Sequence, residues 1–344
     1  MGELRVKGKI KIGIVGLGRL GRRHAENLAN HVQDVDLVAA ASPITSELEW
    51  AKAHYGIETY SNLASLLKHP GLDAVWLVTP TSLHAQQSIE VLEAGKHLFC
   101  EKPLSLDVPS CDEVIKVAES HKDLVTMIGF MRRFDAAYIK AKQALNNGEL
   151  GKVFRIHCES LDPVDPNAFF VKFAPTSGGI FLDCCIHDID LVRWMLNGDK
   201  AKKVAAYGTR IMYPDLEACN DIDTGAAVVE FECGALATFH VSRTSHIGYK
   251  ATMDITGTSG SLSIGHDIDE IPLIKGINGT SCHKGQQDFF SRFNNAFLSE
   301  ATEFVRMVKA NDAGMHFLED AREATRIAVA MRESFESGKP VELN

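Results

Sequence analysis

The sequence lacks the long apolar runs that cross membranes and the cysteine spacings that bind zinc. Its longest apolar stretches, such as Ala74–Val78, fall far short of the roughly 20 residues of a membrane helix. The eight cysteines include no Cys-x-x-Cys pair, so we expect buried, reduced thiols, no disulfide framework and no metal site. Met1–Ile10 carries charges without an apolar segment behind them, so we expect no export signal and a cytoplasmic protein.

The chain also has fewer basic than acidic residues. Lys and Arg number 36 against 45 Asp and Glu, which gives a net charge of -9. A chain this acidic has no general attraction for nucleic acid or for anionic membranes. Apolar residues make up 45% and charged residues 24% of the 344 residues, and these globular proportions exclude disorder and favour two domains.

The first third of the chain alternates strand-like and helix-like segments. Strands are predicted at Lys9–Val15, Asp36–Ala41, Glu58–Tyr60, Ala74–Val78, His97–Cys100 and Val125–Gly129. Helices are predicted at Arg22–Ala29, Glu47–His54, Leu63–Leu67, His84–Ala94 and Asp107–Ser120. This alternation predicts βαβ units, a parallel sheet and a dinucleotide-binding domain over residues 1–129.

After Gly129 the strand-like runs become longer and few helices interrupt them. The predicted strands are Val153–Cys158, Ala201–Ile211, Gly225–Phe231, Ala235–Ser242 and Thr252–Gly257. The predicted helices are Ala136–Asn146, Ile180–Leu196, Ser291–Ala310 and Leu318–Glu336. We therefore expect an α+β domain over residues 130–344 with a large, mostly antiparallel, open sheet. The last helix, about 318–336, could pack back on the first domain.

A glycine-rich segment follows the first predicted strand. It reads Gly16-Leu17-Gly18-Arg19-Leu20-Gly21, a G-x-G-x-x-G that opens a helix at the start of a βαβ run. The first glycine permits a tight turn, the second lets the backbone approach a pyrophosphate, and the third allows close packing of the helix. The free N–H groups at the helix start favour phosphate binding.

The end of the second strand bears on the choice between NAD and NADP. An acidic residue there usually binds the ribose 2′-OH of NAD, but Ser42 occupies this place. Arg19, Arg22 and Arg23 are near in sequence and could meet a 2′-phosphate, whereas no basic residue closely follows Ser42. The sequence therefore favours NAD and leaves NADP open.

Two further segments carry residues suited to chemistry. Thr79-Pro80-Thr81 and Glu101-Lys102-Pro103 each follow a predicted strand, so both should reach the edge where open α/β sheets bind ligands. Asp183, His187 and Asp190 would share one face of the predicted helix Ile180–Leu196. A carboxylate and an imidazole on one half-buried face suit proton transfer.

These pieces together resemble the Gfo/Idh/MocA oxidoreductases. The resemblance is carried by GLGRLG at 16–21, EKP at 101–103, GFMRRFD at 129–135 and GGIFLDCCIHDIDLVRW at 178–194. Within the family the chain is most similar to inositol 2-dehydrogenases, which act on myo- or scyllo-inositol. The resemblance implies hydride transfer from a hydroxyl-bearing carbon to nicotinamide, with NAD as the cofactor.

The resemblance also implies roles for particular residues. Lys102, Asp183 and His187 would be catalytic, with His187 as general base and Lys102 stabilising the developing alkoxide. The expected cofactor-binding residues are Gly16, Leu17, Gly18, Arg19, Leu20, Gly21, Ser42, Thr79, Pro80, Thr81, His84, Glu101 and Lys102. The expected substrate-binding residues are Lys102, Met131, Arg132, Asp162, Asp183, His187, Asp190 and Tyr249.

Two other functions fit the same residues. One is a dehydrogenase or reductase of an aldose or deoxy sugar in the same family. The other is a dinucleotide-binding sensor without turnover, which has no need of a proton acceptor such as His187. Relatives use the second-domain sheet for contacts between subunits, so we expect a homotetramer, a small polyol as substrate, and no nucleic-acid or membrane partner.

Overall fold

The computed structural model describes residues 8–246, 248–266, 274–276, 279–281 and 288–343. The interpretations made above for the first seven residues and for Cys282 lie outside this part of the chain. The described residues form two compact units: one comprises the chain up to Phe134 together with Asn295–Arg326, and the other comprises Asp135–Asn294 together with the chain from Ile327 on. The domain limits predicted from sequence stay a prediction, and the structure adds a C-terminal segment to the first unit.

The first unit contains the predicted alternation of strands and helices. Its strands are β1 (Ile10–Val15), β2 (Val35–Ala41), β3 (Glu58–Tyr60), β4 (Ala74–Leu77), β5 (His97–Glu101) and β6 (Thr126–Gly129). Its helices up to β6 are α1 (Arg19–Asn30), α2 (Thr45–Tyr55), α3 (Leu63–Leu66), α4 (Thr81–Glu93) and α5 (Val108–Glu119). The strands form one parallel sheet in the order β3-β2-β1-β4-β5-β6, which confirms the predicted dinucleotide-binding fold.

Apolar residues explain why this sheet is buried on both faces. Ile12 and Ile14 of β1 on one face, and Val75 of β4 on the other, are fully buried, as expected for a parallel sheet covered by helices on both sides. Trp76 of β4 stacks on Phe99 of β5 with ring centroids 3.5 Å apart. These interlocked side chains hold the strand ends, and hence the residues that follow them, in fixed positions.

The second unit is built on a larger sheet. Its strands are β7 (Val153–Pro163), β8 (Ala201–Thr209), β9 (Thr224–Phe231), β10 (Leu236–Ser245), β11 (Lys250–Gly257), β12 (Ser261–Ile264) and, at the end of the chain, β15 (Val341–Glu342). They lie in the order β12-β11-β7-β10-β9-β8-β15. Only one pairing among these strands, β7 with β10, is parallel. The prediction of a mostly antiparallel sheet is confirmed, and a turn at residues 232–234 joins β9 to β10.

The helices outside the first sheet complete both units. They are α6 (Ala136–Asn146), α7 (Phe169–Ser177), α8 (Ile180–Asp183), α9 (Ile186–Met195), α10 (Phe289–Ala310) and α11 (Met315–Ser337). Two short strands, β13 (Ile274–Gly276) and β14 (Gly279–Ser281), form a separate ribbon. Within the described residues, no helix combines the length and the hydropathy that crossing a membrane requires. Sequence analysis did not predict α7.

The predicted single helix Ile180–Leu196 is wrong. The chain forms two helices, α8 and α9, with Cys184 and Cys185 between them. The Cys185 N–H donates to the Ile180 carbonyl, five residues back, at 3.1 Å, a hydrogen bond that closes a helix end rather than continuing it. Asp183 and His187 therefore lie on different helices, and the argument that they share one helix face fails.

The cysteines that the structure describes are all free thiols. Cys100 and Cys111 are buried, and burial raises the pKa of both thiols. A protonated, buried thiol is unreactive and packs as a small apolar side chain.

Candidate active site

The glycine-rich turn between β1 and α1 has the geometry that its sequence predicts. Gly16 has a φ of +90°, and a Cβ added there would lie 2.4 Å from the Val78 carbonyl oxygen. A Cβ added to Gly21 would lie 2.0 Å from the carbonyl oxygen of Gly16, so the third glycine packs against the turn itself. A Cβ on Gly18 would meet no protein atom within 4 Å. The second glycine thus faces open space, where a ligand can approach the backbone.

The start of α1 suits an anion. Gly18 is its N-cap and supplies no side-chain hydrogen bond, and the first turn holds no acidic residue. The backbone N–H groups and the positive end of the helix dipole are left available for a phosphate. The turn also lies where the strand order reverses, between β1 and β4, the usual position of a dinucleotide in such sheets. The residues therefore fit the pyrophosphate of NAD.

His84 joins two of the turns at this edge of the sheet. Its Nδ1 lies 2.7 Å from the Pro103 carbonyl oxygen, and its Nε2 lies 2.8 Å from that of Thr79. Burial lowers the pKa of His84, and the hydrogen bonds to the two carbonyls oppose this shift in part. The side chain connects the turns after β4 and β5, while direct contact with the cofactor stays a prediction.

Glu101 lies inside the unit, with its side chain behind the turn that carries Lys102. Its Oε1 is 2.7 Å from Nε2 of His24, and its Oε2 accepts a hydrogen bond from the Lys102 backbone N–H at 3.2 Å. The His24 ring is surrounded by Trp76, Phe99 and Phe297, with centroids 5.5 to 5.7 Å away. A buried carboxylate bonded in this way fixes the backbone from which the Lys102 side chain starts.

A second carboxyl group, Glu300 of α10, is buried beside Glu101. Glu300 is 0% exposed, and neither of its carboxyl oxygens has a hydrogen-bond partner. Burial and the charge of Glu101 raise the pKa of Glu300 well above its usual value. Because an unpaired charge in the interior is very costly, this environment favours the protonated form of the Glu300 carboxyl.

Met131 and Arg132 follow β6 in a short 3-10 helix of the first unit. Both side chains are buried, whereas Lys102 is partly exposed. The predicted residues of this unit therefore lie at the carboxyl ends of β1, β2, β4, β5 and β6 or in the segments that follow these strands, with His84 on α4 behind them. This is the sheet edge at which we expected them.

In the second unit, Asp162, Asp183 and Arg243 form an acid–arginine cluster. The Arg243 guanidinium donates to Oδ2 of Asp183, and it lies 3.6 Å from Oδ2 of Asp162. It also lies over the Phe170 ring, 5.0 Å from the centroid. Strands β7 and β10 are parallel neighbours, so their carboxyl ends bring Asp162 and Arg243 side by side.

The acid–arginine cluster keeps the guanidinium of Arg243 charged. Burial alone lowers the pKa of Arg243, but the neighbouring Cys184 sulfur and the carboxylates of Asp183 and Asp162 more than offset it, and the pKa is raised. A permanent cation is thus held between two aspartates. Their remaining carboxylate lone pairs can accept hydrogen bonds from hydroxyl groups.

His187 and Asp190 lie on α9, three residues apart and on one face of that helix. His187 is 8% exposed and Asp190 is 1% exposed. Tyr249, directly before β11, packs edge-on against Phe293 with centroids 6.3 Å apart. The second unit thus contains the predicted residues Asp162, Asp183, His187, Asp190 and Tyr249, whereas Lys102, Met131 and Arg132 belong to the first.

Sequence reasoning missed Arg243, His24 and Glu300. Arg243 carries no motif, because its partners are far away in the chain. His24 lies one turn after the glycine-rich segment, and Glu300 interrupts an apolar helix face. A charged residue at an apolar position of an amphipathic helix was the available signal for Glu300.

The comparisons with known proteins agree over nearly the whole chain. A model described as an oxidoreductase family with an NAD-binding Rossmann fold matches residues 10–130, and a GFO/IDH/MocA C-terminal domain model matches residues 138–263. The scyllo-inositol 2-dehydrogenase (NAD(+)) of Bacillus subtilis (strain 168) is 35% identical over 339 residues, which is 98% of this chain and 97% of that protein. The myo-inositol 2-dehydrogenase of Thermotoga maritima is 31% identical over 335 residues, 97% of this chain and 98% of that protein.

A solved structure extends this similarity to three dimensions. The crystal structure of scyllo-inositol dehydrogenase from Lactobacillus casei, with bound NAD(H) and scyllo-inositol, has a TM-score of 0.90 and 39% identity. The match covers 97% of this chain and 99% of that one.

Proposed function

This chain belongs to the GFO/IDH/MocA family of oxidoreductases, and from that membership we propose that it oxidises one hydroxyl of myo- or scyllo-inositol to the corresponding inosose. The observation that carries the proposal is the similarity, over 97% or more of the chain, to proteins named as inositol 2-dehydrogenases. The cofactor is NAD, whose pyrophosphate fits the open backbone at Gly18.

In the proposed reaction, a C–H bond and an O–H bond of one carbinol break and a C=O bond forms. NAD supplies the acceptor for the hydride, at C4 of its nicotinamide. His187 takes the hydroxyl proton on a ring nitrogen, as a general base. Its near-complete burial suits this role, since proton transfer is more efficient where water does not compete for the base.

Lys102 stabilises the alkoxide that develops as the proton leaves. A positive charge already in place needs no reorganisation during the reaction, which is why such groups lower the barrier effectively. The hydrogen bond from the Lys102 N–H to the buried Glu101 supports this role, because it fixes the backbone of Lys102.

Asp183 accepts hydrogen bonds from the hydroxyl groups of the polyol and so orients the substrate. Further residues that we assign to substrate binding assist it. Arg243 supports Asp183 by holding its carboxylate in one orientation. The further substrate-binding residues are Met131, Arg132, Asp162, Asp190 and Tyr249. Polar sites of this kind reject analogues that lack a hydroxyl by roughly 10⁴-fold in favourable cases.

Steady-state rates test the proposed activity. Purified protein is assayed with NAD against myo-inositol, scyllo-inositol, and a panel of aldoses and deoxy sugars. We expect kcat/KM for one inositol to exceed that for every sugar by at least about 100-fold. A sugar as the best substrate would replace the cyclitol with an aldose, and NAD binding without turnover on any polyol would favour a sensor.

We also propose that the chain forms a homotetramer through the outer face of its large sheet. That face exposes Tyr207, Val228 and Leu236 on neighbouring strands, and Tyr207 is 68% exposed. Contiguous apolar groups on an open sheet are typical of subunit interfaces.

Light scattering tests the proposed tetramer. It should give a tetramer for the wild type and a smaller species for Val228→Lys. The control is Ile211→Lys, because Ile211 is exposed outside the sheet. A monomeric wild type at micromolar concentration would overturn the proposal.

We place the protein in the cytoplasm. The free thiols of buried Cys100 and Cys111 suit a reducing compartment. Labelling a fractionated host cell with an antibody to this chain tests the assignment, and recovery in a secreted fraction would contradict it.

A further inference from the structure

The end of β2 lacks the acidic residue that usually recognises the adenosine ribose of NAD. Ser42 directly follows the last residue of β2 and is buried. It adjoins the glycine-rich turn, since the Gly16 N–H donates to the Ala41 carbonyl at 2.9 Å. Ser42 is therefore beside the backbone that fits the pyrophosphate, but a hydroxyl has no charge with which to reject a 2′-phosphate.

The structure brings a carboxylate to this place from the next helix. The Ser42 hydroxyl donates to Oε2 of Glu47, in the first turn of α2, at 2.5 Å. The Ile44 N–H donates to the same Ser42 oxygen at 3.1 Å. These two bonds fix the hydroxyl and leave Oε1 of Glu47 to accept a further hydrogen bond. Glu47 is half-buried, so its charge is only partly screened by water.

Arg22, which directly follows the glycine-rich segment, is held by two contacts within the first unit. The Arg22 Nε donates to the Leu17 carbonyl at 3.2 Å, and its guanidinium lies over the Trp50 ring, 4.7 Å from the centroid. Both contacts hold Arg22 to the turn and to α2. A carboxylate beside the ribose accepts hydrogen bonds from a 2′-OH and repels the dianionic phosphate that replaces it in NADP.

We propose that Glu47 is the residue that restricts this enzyme to NAD, and that Ser42 is a positioning residue that holds its carboxylate at the end of β2. The inference rests on NAD as the cofactor and is independent of which polyol is oxidised. It assigns the role of the missing acidic residue to a side chain five positions later in the chain.

Binding titrations without any polyol test this assignment. Glu47→Gln keeps an oxygen that can accept the Ser42 hydrogen bond but removes the charge. The fluorescence of NADH and NADPH is titrated with the wild type and the variant. We expect the wild type to bind NADH at least about tenfold more tightly than NADPH, and Glu47→Gln to reduce this ratio at least about fivefold, chiefly through tighter NADPH binding.

Three further variants separate charge from local structure. Glu49→Gln makes the same charge change at an exposed position of α2 and should leave the ratio within about twofold of the wild type. Glu47→Asp keeps the charge and should keep NADPH excluded. Ser42→Ala releases the carboxylate and should weaken NADH binding, with a smaller loss of selectivity than Glu47→Gln.

Two outcomes would overturn the proposal: equal binding of NADH and NADPH by the wild type, or the same ratio in Glu47→Gln and Glu49→Gln. Thermal melting checks that the variants are folded. If Glu47→Gln melts more than about 5 °C below the wild type, the NADH-to-NADPH affinity ratio of Glu47→Asp is used instead. That variant keeps the charge, so tight binding of NADPH by it would also contradict the proposal. Because no polyol is present, failure here leaves the proposed inositol oxidation untouched.

Discussion

The glycine-rich turn of the first unit and the acid–arginine cluster of the second unit are assembled in opposite ways. The turn consists of six consecutive residues, 16–21, and its function depends on backbone conformation and open space. The cluster joins side chains from β7, α8 and β10, which the chain supplies far apart in sequence. A local sequence motif is enough to identify the glycine-rich turn. The acid–arginine cluster forms only once β7 and β10 pair in the sheet.

The difference also concerns what each region tolerates. The turn is limited by space: a side chain at Gly16 or Gly21 would collide with backbone atoms. The cluster is limited by charge, because each aspartate depends on the same guanidinium. Steric and electrostatic dependence give different responses to substitution, which the following experiments separate.

The largest expected effect follows loss of the proposed general base. His187→Ala should lower kcat by about 10²–10⁴-fold, the usual contribution of acid–base catalysis. NADH binding, which depends on the first unit, should stay within about twofold of the wild type in a fluorescence titration. The control is His31→Ala at an exposed site. Near wild-type turnover would remove His187 from the mechanism.

A double variant asks whether the two units contribute to one chemical step. If Lys102 and His187 act on the same proton transfer, then Lys102→Ala combined with His187→Ala should cost little more in kcat than the more damaging single change. Multiplication of the two single effects, measured under the same saturating conditions, would mean that the two residues act independently.

Arg243 tests the electrostatic side of the comparison. Arg243→Met keeps much of the apolar contact with Phe170 but leaves two carboxylates without their cation. We expect a loss of about 3 kcal/mol in stability, as when one partner of a buried pair is removed, and a higher KM for the polyol. Arg243→Lys should recover part of the lost stability. Its KM should stay close to that of Arg243→Met, because a lysine cannot make the same forked contacts. Unchanged KM in both variants would contradict a role in holding Asp183.

Glu300 gives the smallest effect and tests the interior of the first unit. Its pKa is raised in the folded state, so above about pH 4.5 the unfolded chain releases this proton more readily than the folded one. The contribution of Glu300 to the free energy of unfolding is therefore most favourable at low pH. It is lost as the pH rises towards the raised pKa.

Replacement of Glu300 by glutamine should remove this pH dependence. Glu300→Gln should melt about 2–4 °C above the wild type at pH 8 and close to it at pH 5, a shift that corresponds to about 1 kcal/mol. The control, Glu119→Gln, makes the same change at an exposed glutamate, the last residue of α5 in the same unit. Parallel melting curves for wild type and Glu300→Gln across this pH range would show that Glu300 is ionised in the folded protein.

Much of the fold could be predicted because its signals are local. Short β-branched and apolar runs predicted β1 and β4. The predicted end of α6 at Asn146 agrees with the structure, where an Asn-Gly pair follows the helix. The prediction of one helix from Ile180 to Leu196 failed at Cys184 and Cys185. Both residues have near-helical backbone angles, and the break comes from which carbonyl each N–H selects, a choice that composition does not encode.

The sequence by itself determined the glycine-rich turn, the alternation of the first unit and the segments that carry Lys102, Asp183 and His187. These depend on the conformational range of glycine, on hydrophobic periodicity, and on the residue types that proton transfer requires. Only the tertiary structure placed Arg243 against Asp183 and buried Glu300 beside Glu101. Each of these contacts pairs charged or polar groups whose interaction depends on distance in space, and sheet pairing and helix packing set that distance.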